Sequence, residues 1–253
     1  MSDLTKAARR AIAMLDLTNL NDDCDEAQID TLCDRAFTPH GPVAAVCIWP
    51  RFVAQAHRIL GGRGVKIATV VAFPTGDDHV ADVVDMTEDA VKAGADEIDM
   101  VIPYKSLMEG REEVVRTRVA RVKGAADGAT VKAIVETGVL GTPDLIRRAS
   151  DLAIDGGADF IKTSTGKVAR NATLPAARIM LEAVKAADRP VGFKPAGGVK
   201  TTSDAAHYLE LADEIMGPEW AGPDTFRFGA SSVLDALIAT LEGRGDPSVQ
   251  RGY

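Results

Sequence analysis

Residues Val131 to Lys167 read VKAIVETGVLGTPDLIRRASDLAIDGGADFIKTSTGK, and a strand–helix–strand unit can be taken from them directly. Val131 to Glu136 is short and largely apolar, as a strand buried on both faces of a parallel sheet should be. Pro143 opens a helix that runs to Ile154 and stops at Gly156-Gly157. Phe160 to Thr165 is the second strand, with Lys162 in its middle. Burying an unpaired ammonium is costly, so such a lysine either pairs or loses its proton. A neutral, desolvated lysine is a nucleophile that condenses with carbonyls to a Schiff base. The turn Thr163-Ser164-Thr165-Gly166-Lys167 that follows has the composition of an anion-binding loop. From this stretch alone, a simple ion pair at Lys162 is an equal alternative.

Outward from this unit the pattern repeats. Strand signals fall at Met14–Thr18, Val43–Trp49, Lys66–Phe73, Glu97–Ile102, Val131–Glu136, Phe160–Thr165, Val191–Ala196 and Phe226–Ala230. Helix signals follow them at Asp25–Phe37, Pro50–Leu60, His79–Ala93, Glu112–Ala126, Pro143–Ile154, Pro175–Ala187, Ser203–Met216 and Ser232–Leu241. Eight strand–helix units in a chain of 253 residues predict an α/β fold, a single-domain (β/α)8 TIM barrel over residues 1–253. An extra N-terminal helix, Leu4–Ala13, precedes the first strand, and Gly243 to Tyr253 reads as a flexible C-terminal tail. A doubly wound open sheet is the rival, but no GxGxxG follows the first strand.

Composition narrows the function. A net charge of −8 argues against nucleic acid or an anionic membrane as partner. Cys24, Cys33 and Cys47 are odd in number and contain no CxxC pair, against a disulfide framework or a zinc knuckle. No signal peptide is visible and no apolar run approaches ~18 residues, so a cytoplasmic location is expected. His40, His57, His79 and His207 lack ligand spacing, so neither a metal nor any cofactor is expected. Cys47, in the second strand, reads as a small core residue rather than a nucleophile.

Barrel enzymes build their sites at the C-terminal ends of the strands. Asp16, Asp99, Lys132, Glu136, Lys162 and Lys194 are charged residues inside the strand signals, three cations against three carboxylates. By alternation Lys132, Ile134 and Glu136 share one face, as do Lys162 and Ser164. Three glycine turns supply an anion cradle: Gly166-Lys167, Gly197-Gly198-Val199-Lys200, and Gly229-Ala230-Ser231-Ser232. Barrels often hold phosphate after the seventh and eighth strands. Gly166-Lys167 does not belong to a P-loop, because Val168 follows it and Ile161 stands where that motif needs glycine.

Phe160 to Lys167, Gly192 to Val199 and Arg227 to Ser232 resemble the signatures of the 2-deoxyribose-5-phosphate aldolase family. So do Leu15-Asp16-Leu17-Thr18, Ala45 to Phe52, Glu97-Ile98-Asp99 and Glu136-Thr137-Gly138, so the likeness runs from the first strand to the last. The resemblance implies metal-independent, reversible cleavage of 2-deoxyribose 5-phosphate to acetaldehyde and glyceraldehyde 3-phosphate, a step of deoxyribonucleotide catabolism. It implies Lys162 as the Schiff-base lysine, Asp99 and Lys194 as proton-handling partners, and Asp16 and Lys132 in support. Gly166, Lys167, Gly197, Gly198, Val199, Lys200, Gly229, Ser231 and Ser232 would hold the phosphate, Lys200 standing where some relatives carry arginine. Tyr253 would reach the active site and assist proton transfer at the enamine carbon. The expected partners are small phosphosugars and aldehydes, with a homodimer as the candidate assembly. Another Schiff-base phosphosugar aldolase, an isomerase, or a phosphosugar-binding barrel without catalysis are the alternatives.

Overall fold

The computed structural model describes residues 3–244; Tyr253 and the tail expected beyond Arg244 lie outside the described residues. Among the described residues one parallel sheet contains Leu15–Asn19, Ala45–Ile48, Lys66–Val71, Glu97–Val101, Thr130–Ile134, Phe160–Lys162, Gly192–Lys194 and Phe228–Ala230, called strands one to eight below. They stand in chain order, with strand eight beside strand one. The circle closes through bridges of Phe193 with Phe226 and of Ala196 with Gly229. The sheet is therefore a barrel, and the open-sheet rival is excluded.

Helices Glu26–Arg35, Val53–Leu60, Val80–Lys92, Glu112–Ala125, Pro143–Asp155, Leu174–Ala186, Thr202–Met216 and Val233–Leu241 follow the successive strands. Asp25 caps the first of these through the Gln28 amide, and Thr142 and Thr173 do the same for two later ones. The extra helix, Asp3–Ala13, packs against the last two, and Arg10 grips Asp213 with bonds of 2.7 and 2.8 Å. Short pieces escape sequence periodicity: helices Tyr104–Met108 and Thr137–Leu140, and an antiparallel pair of Phe37–Thr38 with Gly41–Pro42.

Each strand puts one face toward the helices and the other toward the barrel axis. Leu15, Leu17, Val46, Ile48, Ile98, Met100, Val131, Ala133, Ile161 and Phe193 are buried in the large core between sheet and helices. Their alternates face inward. Ala45, Cys47, Ala68 and Val70 form a small separate cluster there, while Asp16, Asp99, Lys132, Lys162 and Lys194 are the inward residues of other strands. Register brings these together: Asp99 stands opposite Lys132, and Lys162 opposite Lys194. Phe160 stands opposite Gly192, where a Cβ would lie only 2.3 Å from the Phe160 ring, so glycine is what lets that ring fit.

Strands five, six and seven end earlier than their apolar runs suggest. Strand five stops at Ile134 because Glu136 turns left-handed, at φ 58°. Strand seven stops at Lys194 because Pro195 has no amide to continue the ladder.

Candidate active site

Strand one supplies Asp16, strand four Glu97 and Asp99, strand five Lys132, strand six Lys162, and strand seven Lys194, while Arg227 precedes strand eight. All seven are buried. Asp99 is the hub. Its Oδ2 accepts from both Lys162 Nζ and Lys194 Nζ at 2.7 Å, and its Oδ1 accepts from Lys132 Nζ at 2.8 Å. Lys194 also reaches Asp16 Oδ2 at 2.5 Å, and Lys132 reaches Glu97 Oε2 at 2.5 Å. Beneath them Arg227 pairs with Asp16 at 2.6 Å and with Glu97 at 2.8 Å.

The seven charges do not balance if all are ionised. Burial would raise the pKa of Asp99, yet Lys132, Lys162 and Lys194 hold its carboxyl well below the usual range. Asp16 is likewise held down by Lys194, Lys132 and Arg227 against its burial. Burial disfavours the charged form of every lysine here, but Asp99, Glu97 and Asp16 more than restore Lys132. Asp16 and Asp99 do the same for Lys194. Lys162 alone stays depressed: burial lowers it, Lys194 adds to that, and Asp99 only partly opposes. With Asp16, Glu97 and Asp99 as anions and Lys132, Lys194 and Arg227 as cations, the cluster is neutral when Lys162 is the free amine. That is the state a nucleophile needs.

A cleft of about 710 Å³ opens above this cluster, and Lys162 is the member of the seven that lines it. All nine expected anion-binding residues line the same cleft: Gly166, Lys167, Gly197, Gly198, Val199, Lys200, Gly229, Ser231 and Ser232. Asp16, Asp99, Lys132 and Lys194 lie below, without exposed surface. Gly197 and Gly198 hold φ of 75° and 88°, and a Cβ on Gly197 would lie 2.8 Å from Asn171. The three turns are not equivalent. The helix after strand seven is self-capped, since Thr201 and Asp204 form a capping box and Asp204 also takes the Lys200 amide at 2.9 Å. The helix after strand eight has Ser232 at its cap with no side-chain bond, so its N-terminal amides remain for an anion. After Gly166-Lys167 no helix begins until Leu174, capped by Thr173, so this turn feeds no helix terminus.

Several residues went unread in the sequence. Glu97 and Arg227 belong to the buried cluster, and alternation from Asp99 and Gly229 was the signal that marks them. Glu136, expected in the buried ionic set, is buried, but its carboxylate bonds Thr165 and no lysine. Arg35 also lines the cleft, from the end of a helix where nothing in the sequence announces it. Cys47 is fully buried, and burial first, then Asp99, pushes its thiol up, in keeping with a core role. Among the described residues no group of three or more His, Cys, Asp or Glu is placed to hold a metal ion, and no helix is long and apolar enough to cross a membrane.

Fold and site together define a barrel whose cleft ends on a buried lysine set among carboxylates. The family described as DeoC/LacD family aldolase matches residues 10–237, and this chain belongs to it. It is 55% identical over 250 residues to a deoxyribose-phosphate aldolase of Agrobacterium fabrum, covering 98% of this chain and 96% of that protein. In structure it is similar to the apo form of a Toxoplasma gondii protein assigned to the deoxyribose-phosphate aldolases, with TM-score 0.87 and 26% identity over 95% and 97% of the two chains. A Coccidioides immitis protein assigned to the same group gives TM-score 0.82 and 29% identity, over 95% and 87%.

Proposed function

We propose that this protein catalyses the reversible cleavage of 2-deoxy-D-ribose 5-phosphate to acetaldehyde and D-glyceraldehyde 3-phosphate through a Schiff base on Lys162. The observation that carries this reading is Lys162 itself, a depressed amine at the foot of a cleft whose other end is an anion cradle. The likeness to the Agrobacterium fabrum enzyme supports the substrate.

The amine attacks C1 of the open-chain sugar. The carbinolamine then loses its hydroxyl as water, which takes up a proton, and an iminium remains. The C3 hydroxyl gives up its proton, C2–C3 breaks, and glyceraldehyde 3-phosphate leaves an enamine behind. Protonation at C2 and hydrolysis release acetaldehyde and the amine. Proton transfers of this kind require a positioned acid and base. Asp99 Oδ2, touching both Lys162 and Lys194, joins the nucleophile to a protonated lysine, and we assign the transfers to that line. Asp16 and Lys132 hold Lys194 and Asp99 in place. At the other end, the free helix terminus at Ser232, the Gly197-Gly198 turn and Lys167 anchor the phosphate.

Acetaldehyde with borohydride should leave a two-carbon adduct on Lys162, located by mass spectrometry. An unmodified protein, or an adduct confined to Lys194, would overturn the reading. Tyr253 as proton carrier at the enamine carbon is a separate proposal, tested by deuterium exchange into acetaldehyde in Tyr253→Phe. Assembly as a homodimer is likewise a proposal, to be read from the mass in solution.

A further inference from the structure

Glu136 takes no part in the lysine cluster, yet it is fully buried and holds φ 58°, a strained conformation for a glutamate. The strain accompanies a slip in the sheet. Val135 donates its amide to the Lys162 carbonyl at 2.9 Å, as a parallel ladder requires. The next amide facing strand six, that of Thr137, would in a regular ladder reach the carbonyl of residue 164. It reaches Thr163 instead, at 2.9 Å. Strand five thus carries one extra residue, Glu136, and such bulges re-aim a side chain.

The re-aimed carboxylate meets the chain just beyond Lys162. Thr165 donates its hydroxyl to Glu136 Oε2 at 2.6 Å, and its amide lies 3.3 Å from the same oxygen. Thr165 Oγ1 in turn accepts the Lys167 amide at 3.0 Å. Segment 135–137 therefore fixes residues 162, 163 and 165 directly and residue 167 through Thr165. Thr165, Gly166 and Lys167 all line the cleft beside Lys162.

We propose that Glu136 is a positioning residue: through Thr165 it sets the separation between the Lys162 amine and the Gly166-Lys167 turn, so that a phosphorylated substrate is held at both ends at once. The inference rests on the function proposed above. Acetaldehyde engages the amine alone and does not need this spacing, whereas deoxyribose 5-phosphate does. A lost spacing weakens binding of the phosphorylated sugar more than it slows chemistry.

The test compares Glu136→Gln, Thr165→Val and their double variant on deoxyribose 5-phosphate, on unphosphorylated deoxyribose, and in borohydride trapping with acetaldehyde. Each single change should raise KM for the phosphorylated sugar roughly tenfold or more while kcat falls less than about threefold. Trapping at Lys162 and kcat/KM for deoxyribose should stay within about threefold of the parent. The double variant should be no worse than the worse single, because both changes break one link. Thr165→Ser, which restores the hydroxyl, should return KM to within about threefold. Equal losses on both sugars, additive losses in the double variant, or no rescue by serine would overturn the proposal. If Glu136→Gln does not fold, Thr165→Val and Thr165→Ser decide it alone. A parent protein that traps no acetaldehyde would instead sink the Schiff-base function, an outcome distinct from failure of the Glu136 role.

Discussion

The inside of this barrel is built from two materials. Strands two and three line it with Ala45, Cys47, Ala68 and Val70, small and without formal charge. Strands one and four to seven, with Arg227 just ahead of strand eight, line it with the seven buried ionic groups. In an eight-membered ring, strands two and three stand across from six and seven, so the apolar wall faces Lys162 and Lys194. A wall that offers no solvation leaves the two lysines to carboxylates alone: they share one oxygen of Asp99, and Lys194 has Asp16 as well. That second carboxylate is why lysines in adjacent strands, both buried, shift in opposite directions, Lys194 up and Lys162 down.

Removing the amine from the ionic wall is the largest perturbation. Lys162→Met should abolish trapping and lower kcat/KM by about 10^4 or more, since covalent catalysis has no substitute nucleophile. Steady-state kinetics with mass spectrometry decides it. A residual activity near a tenth of the parent would show that the wall does not act through this lysine.

Lys194→Leu comes next, with an expected loss of roughly 100-fold at neutral pH. Lys194 holds the Lys162 ammonium unfavourable, so its removal raises the pKa of Lys162 and lowers its free-amine fraction. In the parent, kcat/KM rises with pH as Lys162 loses its proton; in the variant that rise should move to higher pH. Full recovery in alkali would reduce Lys194 to an electrostatic role, whereas persistent loss would keep it in the proton line. From the sequence one expects this variant to keep the fold unharmed. The structure amends that: Asp16 loses its 2.5 Å partner, and removing one member of a buried pair costs about 3–5 kcal/mol, visible as a lower Tm.

Carrying charge into the apolar wall sharpens the contrast from its other side. Cys47→Asp sets a carboxylate where the buried thiol already interacts electrostatically with Lys162. Lys162 should then hold its proton to higher pH, with a loss of roughly 10- to 30-fold at pH 7 that alkali reverses. Cys47→Ala should cost less than about threefold. A neutral effect of Cys47→Asp would mean the two walls do not communicate.

Ser232→Asp leaves both walls alone and should raise KM for deoxyribose 5-phosphate by about tenfold, sparing unphosphorylated deoxyribose. It is a cleaner probe than Gly198→Glu, because Gly198 sits at φ 88°, where any side chain is strained. Smallest of all, Arg178→Ala should leave the midpoint of chemical denaturation essentially unchanged. Its paired bonds to Glu214 are exposed, and water already solvates both partners.

How far the sequence could be read follows the same division. Outward faces of the strands are mostly apolar, so all eight strands and their order were legible, as were Asp16, Asp99, Lys132, Lys162 and Lys194 among the inward alternates. Strand ends were not, because the apolar runs continue past Lys162 and Lys194, where the regular strands stop. Glu136 was misassigned for a conformational reason: alternation assumes a regular strand, and no residue type announces a left-handed glutamate. Thr201-Thr202-Ser203-Asp204 did carry its capping-box spacing, which would have separated the closed helix terminus from the open one at Ser232. Arg35 reaches the cleft by tertiary packing alone.

The seven charges of the site come from the beginning, middle and end of the chain, from Asp16 to Arg227. While the polypeptide is being made, Lys162 lies in water as an ordinary ammonium, with well under ~1% in the free-amine form at neutral pH. Burial and the full set of counter-charges arrive only when the eighth strand brings Arg227 beneath Asp16 and Glu97. In a nascent or half-assembled chain Lys162 is therefore no more reactive towards stray aldehydes than any other lysine, and its reactivity is born with the last stave of the barrel.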